Sequence, residues 1–246
     1  MKTVGVIPCR WESSRFPGKP LAEICGKPML WHVWKQASKS SVIEQLVVAT
    51  DDERIYDVCN EHRFDVVYTS KSHQTGTDRV SEVAEKVSGD IFVNIQGDEP
   101  LIDPEGIDAV ASCLARQKEI LITNGYTLIT SKDDIDNPNV VKVITDRDNC
   151  ALAYSRSRIP YQKEARSVYK RQLGLYAMTR EAMLSFGKLE RRYIEATEGV
   201  EMYRFLENGY RIKMVEVDDR NSIPVDLPED VERVESFIKR MEAKND

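Results

Sequence analysis

The chain has 246 residues, 41% hydrophobic and 31% charged, a size and balance that suit one large α/β domain with an inserted lobe. Its formal net charge of -6 excludes the broad basic surface that a nucleic-acid backbone demands, and no apolar run approaches the roughly 18 residues that span a bilayer. The expectation is a soluble protein with neither nucleic acid nor membrane as partner, in which any anionic ligand must meet a local basic patch.

The opening MKTVGVIPCR reads as a short strand and lacks the apolar core and cleavage site of a secretory signal, so the expected location is the cytoplasm. Strands are predicted at 3 to 9 and 45 to 50, with a helix between them carrying the apolar stripe Met29, Leu30, Val33 and Ala37. Further strands are predicted at 65 to 69, 90 to 95, 120 to 129, 140 to 145, 151 to 155, 172 to 178 and 211 to 217. Helical patterns fill 52 to 62, 78 to 87, 104 to 117, 180 to 186, 195 to 207 and 228 to 242. Alternating strands and helices imply right-handed crossovers and a mostly parallel sheet covered on both faces. The stretch from about 120 to 180 holds more strands than helices and predicts a strand-rich lobe. Five cysteines, Cys9, Cys25, Cys59, Cys113 and Cys150, lie far apart without CxxC spacing, which favours reduced thiols over disulfides or zinc.

In such sheets ligands sit beyond the carboxyl ends of the strands. The loop after the first predicted strand, Pro8 to Leu21, carries Arg10, Arg15 and Lys19 with Ser13, Ser14 and Gly18. Cations, hydroxyls and a glycine that permits close backbone approach suit a triphosphate, although a solvated, proline-interrupted loop has the same composition. Neither GxxxxGK[ST] nor GxGxxG is present. The predicted strand 90 to 95 delivers Gln96-Gly97-Asp98-Glu99-Pro100 to the same edge, where a carboxylate can hold a hard cation against phosphate oxygens.

The string RxxSSRxPGKPL at 10 to 21 resembles the signature of the 3-deoxy-manno-octulosonate (Kdo) cytidylyltransferases. ATDD at 49 to 52, HQTGTDR at 73 to 79, VNIQGDEPLI at 93 to 102, NPNVVKV at 137 to 143, ALAYSRSRIPY at 151 to 161, LGLY at 173 to 176 and VDLPEDVERV at 225 to 234 follow in order. The resemblance runs from Ile7 to about Val234. It implies a nucleotide-diphospho-sugar transferase type of α/β fold and a homodimer whose lobe at about 120 to 180 serves dimerisation and substrate. The implied reaction transfers CMP from CTP to Kdo for lipopolysaccharide or capsule assembly, with Mg²⁺ as cofactor.

The same resemblance implies roles residue by residue. Asp98 and Asp226 would hold the metal; by local sequence alone, Asp226 before Pro228 reads instead as a helix N-cap, and only the resemblance reverses that. Catalysis falls to those two with Lys19 and Arg10. Nucleotide contacts fall to Pro8, Cys9, Arg10, Ser14, Arg15, Gly18, Lys19, Gln74, Thr75, Gly76, Arg79 and Gln96. The segment 73 to 79 also reads as a turn with a helix N-cap at Thr77, and both readings can hold together. The sugar acid is assigned to Gln96, Arg156, Gln172, Tyr176, Glu198 and Glu201. Arg156 lies in a stretch, 154 to 171, with six cations and one acid, a net of +5 that suits an anionic substrate but equally a solvated loop. Glu198 and Glu201, three apart on a predicted helix, are expected to share a face.

Gln172 stands where the family usually has histidine. An amide cannot become cationic, so the sugar stays open between Kdo, its 8-amino-8-deoxy form and another ulosonic acid. Two other readings remain at this point. Asp146-Arg147-Asp148 offers the DxD of a metal-dependent glycosyltransferase, although it falls outside the Asp98 position and reads as an exposed turn. A non-catalytic nucleotide-binding regulator is disfavoured by the presence of both expected metal carboxylates.

Overall fold

The computed structural model of the chain describes residues 1–13, 15–163 and 168–245. β1 (Thr3–Cys9) is followed by a hairpin, β2 (Glu23–Ile24) and β3 (Lys27–Pro28), then α1 (Met29–Ala37), β4 (Gln45–Thr50), α2 (Glu53–His62), β5 (Val66–Tyr68), α3 (Gly76–Lys86), β6 (Ile91–Asn94) and α4 (Pro104–Arg116). The second half runs β7 (Ile122–Leu128), α5 (Lys132–Asp136), β8 (Lys142–Thr145), β9 (Ala151–Ser155), β10 (Lys170–Thr179), α6 (Arg180–Phe186), α7 (Tyr193–Glu198), α8 (Tyr203–Leu206), β11 (Ile212–Glu216) and α9 (Pro228–Asn245).

The main sheet has the order β11-β7-β10-β6-β1-β4-β5. β5, β4, β1 and β6 pair in parallel, as do β11 and β7. β10 runs antiparallel between β6 and β7, and β8 with β9 extend it as an antiparallel annex. The chain is thus an α/β protein with a mostly parallel sheet flanked by helices, and among the described strands the antiparallel pairs all involve β8, β9 or β10 apart from the β2-β3 hairpin.

Period-two alternation sorts the strands between two cores. Val4 and Val6 of β1, Val47 and Ala49 of β4, and Phe92 of β6 pack on one face with α3 and α6 side chains. Ile7, Cys9, Leu46, Val48, Ile91 and Val93 pack on the other with α1, α2 and α4. Burial on both faces explains why these strands are near-continuous apolar runs. Each fully buried aliphatic side chain contributes about 1.5–3 kcal/mol. Helix starts follow their local chemistry: the Asp52, Asp103 and Thr179 side chains accept backbone N–H groups at the starts of α2, α4 and α6.

Two expectations are corrected. The predicted helix 195 to 207 is two short helices, because Gly199 at φ 63° closes α7 in the left-handed conformation and redirects the chain before α8. The cap of α3 is Thr75 rather than Thr77. Thr75 and Asp78 form a reciprocal capping box, and Thr77 lies within the first turn, buried. The two-residue strands β2 and β3 and the five-residue α5 were too short to leave a periodic signal.

Candidate active site

A cavity of about 280 Å³ opens at the carboxyl ends of β1 and β6. Its lining comes from three segments: the loop after β1, the start of α3 with the residues before it, and the loop after β6, joined by Glu201 and Asp226. Its size lies near the small end of ligand sites, which hold roughly 300–1,000 Å³.

Loop geometry explains how the first segment is aimed. Gly18 adopts φ 73° and donates its N–H to the Trp11 carbonyl at 2.9 Å, closing the loop on itself. A Cβ there would lie 2.9 Å from the Trp11 ring, so only glycine fits without movement. The single turn that follows points Lys19 inward. Its ammonium nitrogen lies 2.7 Å from Asp98 Oδ2, 2.8 Å from the Val225 carbonyl and 3.7 Å from Asp226 Oδ1. Arg15, more exposed, donates to Asp226 Oδ1 at 2.9 Å. Asp98 and Asp226, far apart in sequence, therefore gather around one cation.

The capping role expected for Asp226 is reversed. Asp230 Oδ2 accepts the backbone N–H groups of Asp226 and Leu227, each at 3.0 Å, and the Asp226 carboxylate is left facing Lys19 and Arg15. Gly97 allows the loop after β6 to press against β1: a Cβ there would meet the Pro8 carbonyl and Cys9 Sγ at 2.8 Å each. The Cys9 thiol is buried, and that burial pushes its pKa well up, so it lines the cavity as a neutral group. Glu99, next to Asp98, is pushed up to about 8 by burial and by Asp219 and Asp98, against Arg171.

The nucleotide-assigned residues Pro8, Cys9, Arg10, Arg15, Lys19, Gln74, Thr75, Gly76, Arg79 and Gln96 all border the cavity. Gly18 shapes the loop without lining it, and Ser14 lies outside the described residues. Arg79 is buried and anchored by Asp51 Oδ2 at 2.7 Å and by Thr69, so it forms the floor. Ser13, Pro20, His73 and Gly97, which lie within the quoted motifs but had no contact assigned to them individually, also line the cavity. Proximity in sequence to Arg15, Gln74 and Asp98 was the available signal.

The sugar-assigned residues divide. Gln96 and Glu201 border the cavity. Tyr176 and Gln172 lie on β10, where a register shift between them lets Gln172 Nε2 donate to Tyr176 Oη at 2.6 Å. Between them Gly174 gives way to Gln96, whose Cγ would sit 2.6 Å from an added Cβ. Burial, with Glu201 nearby, keeps the Tyr176 phenol neutral by pushing its pKa up. Arg156 and Glu198 form a separate group. The Glu198 carboxylate accepts from Ser155 Oγ and the Arg156 N–H, both at 2.9 Å, and the Arg156 guanidinium donates to the Glu198 carbonyl at 2.7 Å and the Pro138 carbonyl at 2.9 Å. Glu198 and Glu201 therefore do not share a helix face, since Gly199 separates them. Arg166 of the basic stretch lies outside the described residues.

Lys142 accounts for the NPNVVKV motif structurally: fully buried, it donates to the carbonyls of Asn137, Val140 and Arg156 at 2.6 to 3.0 Å. Asp146 is a turn residue that accepts the Asp148 and Cys150 N–H groups and pairs with Arg211. It is not among the residues that line the cavity.

The carboxylate pair fits one divalent cation completed by phosphate oxygens, since hard cations of this kind take one or two protein carboxylates. Among the described residues no group of three or more His, Cys, Asp or Glu is gathered to cage a metal without substrate.

The cytidylyltransferase family model matches residues 4–213. A 3-deoxy-manno-octulosonate cytidylyltransferase of Geotalea daltonii is 45% identical, the alignment covering 97% of this chain and 99% of that protein. A mitochondrial 3-deoxy-manno-octulosonate cytidylyltransferase of Arabidopsis thaliana is 38% identical over 97% of this chain and 83% of its own. The solved structure of a CMP:2-keto-3-deoxy-manno-octonic acid synthetase complexed with CTP superimposes with a TM-score of 0.93 at 34% identity, covering 98% of this chain and 100% of that one.

Proposed function

The chain belongs to the 3-deoxy-manno-octulosonate (Kdo) cytidylyltransferase family, and we infer that it transfers CMP from CTP to the anomeric hydroxyl of Kdo, releasing diphosphate. The observation that carries the assignment of this reaction to the cavity is the meeting of Asp98 and Asp226 around Lys19 at the carboxyl edge of the sheet.

In this reading the anomeric oxygen attacks the α-phosphorus in line, the bond to the β-phosphate oxygen breaks, and the hydroxyl proton is lost. Catalysis then rests on positioning and charge neutralisation. Mg²⁺ held by Asp98 and Asp226 would supply charge neutralisation at the α-phosphate. Lys19 and Arg15 exchange their carboxylate partners for phosphate oxygens, and Arg10, exposed at the rim, adds a third cation for the departing diphosphate. Gly76, the first residue of α3, offers its backbone N–H to the nucleotide, while the Thr75 N–H stays with Asp78 in the capping box. Gln96 and Glu201 face the sugar acid, with Gln172 and Tyr176 behind Gln96 shaping its end of the pocket.

The Gln172 amide, hydrogen-bonded to Tyr176, keeps a second reading of the acceptor alive: a close Kdo analogue such as the 8-amino-8-deoxy sugar. The glycosyltransferase reading loses its support, because its DxD pair is engaged in a turn and with Arg211. A homodimer is also part of the proposal. Leu128, Leu152 and Val168 project from β7, β9 and the approach to β10, exposed at 44%, 60% and 64%, and suit burial against a second copy. Among the described residues no helix is long and apolar enough to cross a membrane. We place the enzyme in the cytoplasm, in lipopolysaccharide or capsule assembly.

The test is diphosphate release from each of four nucleoside triphosphates with a panel of 2-keto-3-deoxy sugar acids. CTP with Kdo is expected to give the highest kcat/KM; release only with a different triphosphate would overturn the assignment.

A further inference from the structure

Two successive residues of α3 grip the segment that carries Glu201. Thr77 Oγ1 donates to Glu201 Oε2, and Thr77 is itself held by the buried Asn94, whose Nδ2 donates to it at 3.0 Å. One residue on, Asp78 Oδ1 accepts from Arg204 Nη1 at 2.6 Å. Arg204 is buried, places its guanidinium 4.0 Å from the Phe186 ring centroid, and donates from Nε and Nη2 to the two Glu195 oxygens at 2.9 and 2.7 Å. Its backbone N–H also bonds the Glu201 carbonyl at 3.0 Å.

Asp78 divides its carboxylate between two tasks. While Oδ1 meets Arg204, Oδ2 accepts the Thr75 N–H at 3.1 Å and the Thr75 hydroxyl at 2.9 Å. Thr75 lines the cavity on the side assigned to the nucleotide, and Glu201 lines it on the side assigned to the sugar. Arg204 is not among the residues that line the cavity, yet its N–H bonds the Glu201 carbonyl directly and its guanidinium reaches Thr75 through Asp78.

We propose that Arg204 is a positioning residue that locks the Thr75 wall to the Glu201 wall through Asp78 and thereby sets the spacing of the two subsites. This rests on the assignment of those walls to CTP and the sugar acid. A planar guanidinium is required because three donors must reach two carboxylates in fixed directions, which an ammonium cannot reproduce. Charge-assisted bonds in so enclosed a place are strong and directional.

The test compares Arg204→Lys and Asp78→Asn with the parent enzyme in steady-state diphosphate release and in the rise of melting temperature caused by CTP. Both variants are expected to raise the KM for CTP about tenfold, the effect of losing one charge-assisted hydrogen bond, and to lose most of the CTP-induced rise. A purely structural pair would lower the melting temperature and the active fraction while leaving both KM values within about twofold of the parent; that result overturns the proposal. If Arg204→Lys does not fold, Asp78→Asn decides, since it leaves the Arg204 and Glu195 pair in place. A parent enzyme that neither binds CTP nor releases diphosphate would overturn the functional reading beneath it, an outcome distinct from unchanged variants.

Discussion

Lys19 occupies the place where two carboxylates would otherwise repel. Its side chain is 14% exposed and its ammonium bonds Asp98 directly, so it offsets part of the negative charge of the two carboxylates. On the proposed assignment, Lys19→Ala removes a cation that would meet the triphosphate and leaves Gln96 and Glu201, assigned to the sugar acid, in place. Initial-rate kinetics should then show the KM for CTP raised on the order of tenfold or more, with the KM for the sugar acid changed far less. The reversed pattern would mean that the two subsites are exchanged. Glycines at 97 and 174 have no polar chemistry of their own, yet a side chain at either would collide with the β1 end or with Gln96. Nothing in single-residue type separates such a glycine from one in an ordinary turn, whereas Asp98 and Lys19 were legible because charge at a strand end has few other uses.

Element by element, the site depends on how α3 is held. Glu82 on α3 accepts from His73 at 2.5 Å, from the Ser70 N–H at 2.8 Å and from Lys86 at 2.6 Å, tying the segment before the helix to its own side. Burial pushes the Glu82 carboxyl up, but the bonds from Lys86, the Ser70 amide and His73 outweigh it and pull the pKa from 4.5 to about 2. A carboxyl depressed in the folded state stabilises above its unfolded pKa and loses that contribution as pH falls. Glu82→Gln should therefore be less stable than the parent at neutral pH by about 1–3 kcal/mol. The difference should shrink as pH drops from about 4.5 towards about 2. Denaturant unfolding across that range checks it, and a gap that persists unchanged to the acid end would show that the effect is not ionic. The elements themselves were largely legible: strands 3 to 9, 45 to 50 and 151 to 155 and helix 180 to 186 have the expected bounds because apolar periodicity there is dictated by burial. The break at Gly199 was not, since a glycine within an amphipathic run marks either a tolerated helix position or a left-handed stop, and tertiary contacts of Glu198 and Glu201 decide which. The Asp78 to Arg204 bond spans 126 residues and leaves no trace in either local pattern.

At the scale of the whole molecule, the sheet's strand order decides what can meet. β1 and β6 are neighbours, so the loops that follow them converge, and the segment between β11 and α9 brings Asp226 to the same edge, where the Val225 N–H bonds the Asp98 carbonyl at 2.9 Å. The β8-β9 annex and its exposed apolar side chains lie on strands that extend the sheet laterally. If they bury against a second copy, Leu152→Asp should shift the sedimenting mass from dimer to monomer, while a parent protein that sediments as a monomer at all concentrations would remove the dimer. In the proposed reaction Asp98 and Asp226 serve one metal and one phosphate. Residues acting as a unit are not additive, since the loss of either already removes the shared function. Diphosphate release is therefore to be measured in Asp98→Asn, Asp226→Asn and the double variant. Each single change should lower kcat on the order of a hundredfold, and the double variant should be little slower than the worse single one. A near-normal rate in either single variant, or losses that multiply in the double, would show that the two carboxylates do not share a metal.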